Sequence, residues 1–110
     1  MKEDPKIFLK HIFESIERVE DYTANLSSNE FLRDKQKQDA VIRRIEIIGE
    51  AVKNLPQDFK DSVPSVVWQK IAGTRDMLIH EYFGVDLDLV WAMVQKDIPE
   101  LKRQVIKLLK

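Results

Sequence analysis

Apolar residues recur along this chain at steps of three and four. Leu9, Ile12, Phe13, Ile16 and Val19 set the rhythm near the start, which is the spacing of one buried helix face. Pro5 behind Asp4 supplies a start signal. Proline's fixed φ suits a first helical turn, and an aspartate carboxylate can cap the free N–H groups there. This first helix is expected to end near "NLSSNE". A second opens around Ser28, with Ser28 or Asn29 as its cap, and runs to about Leu55. Within it Val41, Ile45, Ile48, Val52 and Leu55 step by four, three, four and three, a continuous inward stripe.

"LPQDFKDSVPS" reads as the main loop, since Pro56 and Pro64 both interrupt helix. Ser65 or Ser62 is the expected cap of a third helix carrying Trp68 through Tyr82. Gly84 is its expected stop. Asp86 should cap a fourth helix containing Leu87, Val90, Trp91, Val94, Ile98, Leu101, Val105 and Leu108. Pro99 within that pattern predicts a kink or brief break near Asp97. Strand signals are weak. The expectation is an all-α, up-down bundle of four main helices forming one domain over residues 1–110.

The third helix departs from this simple pattern at "AGTRDMLIHEYFGVD", Ala72 to Asp86. Trp68, Ala72, Arg75, Ile79 and Tyr82 make one stripe, with Val67, Ile71, Thr74 and Leu78 beside it as packing positions. Gln69, Gly73, Asp76 and His80 make an opposite stripe without a bulky apolar residue. Glycine there costs about 1 kcal/mol against alanine, and it permits close approach by a partner helix or a ligand backbone. Asp76 and His80 stand at i, i+4, where a carboxylate can orient an imidazole and favour its charged form. Arg75 and His80, however, diverge by about 140° on an ideal helix. A straight single helix does not aim them at one point. Long side chains could reach across an edge, a helix that loosens before Gly84 could help, and so could a second copy across a two-fold axis, which would pair the two sets in one cleft.

Composition narrows the chemistry. Apolar content of 44% with a net charge of −1 argues for a folded domain, and it gives no bulk electrostatic footprint for nucleic acid. Any RNA contact then needs a local basic patch. Arg43, Arg44 and Lys53 on the second helix, with Arg75 and Lys70, are its candidates. The plainer reading makes Arg43 and Arg44 a solvated face, or partners of Glu46 and Asp39. With no cysteine and two histidines, neither a disulfide frame nor a zinc site is expected. ExxH pairs, HExxH, phosphate-binding glycine loops and nucleophile elbows are all missing. No metal and no cofactor are expected. "MKEDPKIFLK" has no long apolar run, so it is not expected to be a signal peptide. No stretch approaches the ~20 apolar residues of a membrane span, so a cytoplasmic setting is expected.

What remains is chemistry that an arginine and a histidine can perform without a metal. RNA cleavage by the adjacent 2′-hydroxyl fits. His80 has the right ordinary pKa for acid–base work, Arg75 offers a planar fork for phosphate oxygens, and Asp76 can orient His80. The 2′-hydroxyl as nucleophile restricts the reaction to RNA. Set against this, an arginine in an apolar stripe often snorkels or pairs with a neighbouring carboxylate, for which Glu46 and Glu50 are candidates. His11 reads as an ordinary surface histidine, and Tyr82 alone would read as core with its hydroxyl at the rim.

"RDMLIHEY", Arg75 to Tyr82, resembles the R-x4-H-x-Y motif of the HEPN superfamily. Asp76 fits as well, because the residue after the arginine is usually polar there. "FLRD" at Phe31, "AVIRRIEIIGEAVKNLP" from Ala40 and "VWAMVQKDIPELKRQV" from Val90 extend the likeness over nearly the whole chain. Within the superfamily the chain is similar to the HepT-like group, the toxin half of MNT–HEPN toxin–antitoxin modules. The resemblance implies an all-α bundle that dimerises, with two motifs facing a shared cleft. It implies a metal-independent endoribonuclease with Arg75 and His80 as its essential pair. It also implies a nucleotidyltransferase antitoxin partner, which in similar systems adenylylates the tyrosine corresponding to Tyr82. Glu50 and Gly73 join Arg43 and Arg44 as candidates for RNA or structural contacts. A non-catalytic HEPN module that binds a nucleotide or a partner protein is the alternative, and a purely structural helical dimer is a third reading.

Overall fold

A computed structural model describes residues 4–80 and 85–110, with the backbone alone described for 75–80. The described residues form helices and connecting turns, with no strand. Helix α1 spans Pro5–Thr23, and the Asp4 carboxylate caps it by accepting from the Lys6 N–H at 3.0 Å. Its apolar stripe is buried as the spacing predicts: Leu9, Ile12, Ile16 and Val19 are almost fully covered. Asn25 follows the helix with φ 60°, a left-handed conformation that asparagine tolerates better than most residues. It turns the chain towards α2.

Helix α2, Ser28–Arg33, is capped by Ser27 rather than by Ser28 or Asn29. The Glu30 N–H donates to the Ser27 hydroxyl at 3.1 Å, and the Ser27 N–H donates to the Glu30 carboxylate at 3.0 Å. This reciprocal pair satisfies two donors that a helix start leaves free. The Ser27 N–H, and after it the Ser27 hydroxyl, favour the ionised carboxylate and hold the Glu30 pKa below its ordinary value.

The expected long second helix is divided. Asp34 takes an extended conformation (φ −110°, ψ 92°) and caps α3, Lys35–Asn54, by accepting from the Lys37 N–H at 3.0 Å. The buried Gln38 amide donates to the Phe31 carbonyl at 2.9 Å, which ties the end of α2 to the start of α3. Beyond this break the stripe is intact: Val41, Ile45, Ile48, Val52 and Leu55 are all buried.

The expected loop contains a short helix, α4, Gln57–Ser62. Ser62 ends it, its hydroxyl donating to the Phe59 carbonyl, and so does not cap the helix that follows. The Trp68 indole N–H donates to the Val63 carbonyl at 3.2 Å, anchoring the start of α5, Trp68–His80. Val67, expected among the packing positions, is instead 63% exposed. It lies one residue before α5, outside the register of the helix.

Asp86 caps α6, Leu87–Ala92, accepting from the Leu89 N–H at 3.2 Å. The helix then widens into a π-helical turn at Met93–Asp97 and continues as α7, Ile98–Leu109. Pro99 explains the location, because proline cannot donate to the preceding turn and its ring crowds the carbonyl there. A π turn relieves both problems without ending the helix. The irregularity expected near Asp97 therefore occupies the whole preceding turn.

Helix α3 is central. It packs against α1 and α5, while α7 closes over α1 and α2 bridges α3 and α6. Phe31 is fully buried, with its ring 5.1 Å from that of Trp91.

Candidate functional site

Helix α5 carries the candidate chemistry. Its backbone is helical from Trp68 to His80, so positions 75, 76 and 80 lie on one continuous rod. At 3.6 residues per turn, positions 75 and 80 remain about 140° apart around its axis. The side chains of Arg75, Asp76 and His80 lie outside the described residues, as does all of Tyr82 and Gly84.

The first half of α5 shows which way the helix is turned. Trp68 is buried, and Ile71, Ala72 and Thr74 are half-buried. Gln69 and Gly73 are exposed, as expected for the polar stripe. Among the described residues, a β-carbon placed on Gly73 would meet nothing within 4 Å. The helix therefore has open space beside Gly73, on the stripe that positions 76 and 80 continue.

Of the expected basic patch, Arg43 lines one cleft and Lys70 another. One, of about 260 Å³, lies between α1 and α3, where Arg43, Glu46, Glu50 and Asn54 face His11. Arg43 is exposed and pairs with Glu46 at 3.5 Å, which agrees with the plainer reading of that arginine. Asp39 pairs with Lys35 at 4.0 Å. The Asn54 amide donates to Glu50 at 3.4 Å. The second cleft, of about 230 Å³, is bounded by α3, the start of α5, the π turn and α7, and Lys70 stands on its apolar wall. Arg44 is half-buried and Lys53 exposed, and neither lines either cleft.

His11 was expected to be an ordinary surface residue. It is exposed but also borders the α1–α3 cleft. The available signal was the row Arg43, Glu46, Glu50 and Asn54, a polar stripe at helical spacing alongside the apolar one. Among the described residues no group of histidine, cysteine, aspartate and glutamate side chains is arranged to hold a metal ion. No helix among them is long and apolar enough to cross a membrane.

Comparison with known proteins defines the class. The family model "Ribonuclease HepT-like" matches residues 12–108, and the chain belongs to this family within the HEPN superfamily. The chain is 49% identical to the "Probable ribonuclease HepT" of Thermococcus cleftensis, over the full length of both. It is 52% identical over 109 residues to "Gamma-glutamylcyclotransferase and putative RNase MJ0434" of Methanocaldococcus jannaschii. That match covers 99% of this chain and 49% of the relative, so the chain spans about half of that protein's length. No solved structure matches the chain.

Proposed function

We propose that this protein is a metal-independent endoribonuclease whose site is composite, formed by Arg75 and His80 where two copies of α5 meet. The observation that carries the reading is the placement of the R-x4-H pair on one unbroken helix. Membership of the HepT-like ribonuclease family supports it.

In this reading His80 takes the 2′-hydroxyl proton, and that oxygen attacks the adjacent phosphorus. The P–O5′ bond breaks as the cyclic phosphate closes, the leaving 5′-oxygen takes a proton from water, and His80 returns the 2′-hydroxyl proton to solvent, so no net proton is gained or lost. Arg75 stabilises the charge that builds on the phosphoryl oxygens, a role suited to its rigid fork. Asp76 orients His80. The divergence of positions 75 and 80 supports a dimer, because arginine from one copy and histidine from the other can serve one phosphate. The open space beside Gly73 supports close approach on that face.

We extend the reading to regulation. The protein acts as the toxin of an MNT–HEPN module in the cytoplasm, and a nucleotidyltransferase antitoxin silences it by adenylylating Tyr82. An adenylyl group adds bulk and negative charge next to the proposed phosphate site, which opposes RNA entry on both counts.

Purified protein should cut RNA in the presence of EDTA and leave 2′,3′-cyclic phosphate ends. Absence of cleavage by unmodified protein would remove the nuclease reading and favour a binding module. Intact mass after co-expression with the neighbouring nucleotidyltransferase tests the switch. An adenylylated mass for wild type, absent from Tyr82→Phe, is expected, and an unshifted wild-type mass would exclude modification.

A further inference from the structure

A net charge of −1 leaves any RNA affinity to a local basic patch. On α3 the expected patch is broken, because Arg43 is paired with Glu46 and Arg44 is half-buried. A longer one runs along α7 and the π turn before it. Lys96, Glu100, Arg103, Lys107 and Lys110 step by four, three, four and three, so they share one face of the rod. All five are exposed. The opposite face, Ile98, Leu101 and Val105, is buried. At 1.5 Å per residue the stripe is about 20 Å long.

Residues 96–110 hold five of the chain's eighteen cations and two of its nineteen carboxylates. Of those two, Asp97 lines the second cleft. Glu100, the one carboxylate of the stripe, is paired with Arg103. Lys102 lies to one side and pairs with Glu20 at 2.8 Å. Among the described residues Lys96, Lys107 and Lys110 make no ion pair. Lys107 and Lys110 suit the negative end of their helix, but Lys96 stands before Pro99, far from that end. Cations in a line without partners suit a ligand that presents its charges in a line. A nucleic-acid backbone does so, and each phosphate neutralised releases counterions. A membrane surface fits less well. A helix bound there buries its apolar face among lipids, and that face of α7 is already covered. The stripe also meets the proposed site. Glu100 borders the second cleft, whose far wall carries Lys70 and Thr74 of α5.

We propose that this stripe is a backbone track for single-stranded RNA, with Lys96, Lys107 and Lys110 as its phosphate contacts. The track holds the strand without reading its bases and leads it towards α5. The proposal rests on RNA being the substrate, but it concerns binding and not cleavage.

The test is equilibrium binding of the full chain to a labelled 2′-O-methyl oligouridylate, which lacks the nucleophile for cleavage, over a series of salt concentrations. On a log–log plot, single-strand affinity falls with salt at a slope of about −0.7 per phosphate neutralised. The triple variant Lys96→Gln, Lys107→Gln, Lys110→Gln should therefore flatten the slope by about 2 and weaken binding at least about tenfold at ~0.1 M salt. A control triple, Lys6→Gln, Lys10→Gln, Lys35→Gln, makes the same change in net charge at exposed positions of α1 and α3. It should leave slope and affinity nearly unchanged. An unchanged slope in the stripe variant, with circular dichroism showing an intact fold, would overturn the proposal. So would an equal change in both triples, or stripe-dependent binding of polyglutamate beside stripe-independent binding of RNA. Cleavage of unmodified RNA is scored separately. A stripe-dependent slope in a protein that cuts no RNA would keep this inference and remove the nuclease reading. Cleavage with a slope indifferent to the stripe would do the reverse.

Discussion

The side-chain amide of Gln38 donates to the main-chain carbonyl of Phe31 at 2.9 Å, in a buried position across the break between α2 and α3. The same carbonyl accepts from the Asp34 N–H at 3.2 Å. Gln38 therefore does from a distance what the interrupted helix cannot do locally. Gln38→Met keeps the volume and removes the donor, so it should lower unfolding stability by about 1 kcal/mol. Urea denaturation followed by circular dichroism measures this, with an unchanged slope expected if only the bond is lost.

Phe31 itself is fully buried and packs its ring against Trp91. Phe31→Ala should cost about 3–5 kcal/mol, a large fraction of the total stability of a domain this size. Thermal melts should show a lowered, still cooperative transition, or a chain already unfolded at room temperature.

Gly73 separates the fold from the proposed assembly. Among the described residues a methyl group there meets no atom within 4 Å, and alanine favours helix over glycine by about 1 kcal/mol. Gly73→Ala should raise the melting temperature of the chain at low concentration. It should also weaken dimerisation and RNA cleavage, if a second helix or an RNA backbone passes close to that face. Sedimentation and a cleavage assay on the same sample distinguish this from a purely local role, in which stability rises and activity is unchanged.

The Ser27–Glu30 capping box makes one contribution to stability pH-dependent. Glu30 has its pKa lowered in the folded chain by its bonds to Ser27. A lowered folded-state value means that the stabilisation is fully present above the ordinary glutamate value. It is lost as pH falls through the folded value. Wild type should melt above Glu30→Gln at pH 7, and the gap should close in acid, below the ordinary glutamate range. A gap that stays constant into acid would show that the ionised carboxylate is not the stabilising form.

The periodic stripes of α1 and α3 were legible because burial there follows directly from helical spacing. The break at Asp34 was not. Its flanking residues are good helix formers, and the apolar register of α3 does not depend on where that helix begins. The decisive signals were short polar ones, Ser27 with Glu30 and Asp34 with Lys37, and apolar periodicity is blind to them. Helix α4 was hidden by its bordering prolines, since Pro56 stands at its start and ends nothing within it. In the candidate site, spacing alone places Arg75, Asp76 and His80 on one helix. The α1–α3 cleft was not legible, because Phe8 and His11 reach Glu46 and Glu50 only through tertiary packing.

The central claim is that one active site draws its arginine and its histidine from different copies. Arg75→Ala and His80→Ala chains, each inactive alone, can be co-expressed with two tags and purified as mixed dimers. In such a dimer one cleft receives both native residues and the other receives neither. RNA cleavage in EDTA by the mixed dimer should return to about half the wild-type rate, one of two sites being complete. A mixed dimer as inactive as either variant alone, beside an active wild type, would contradict the account.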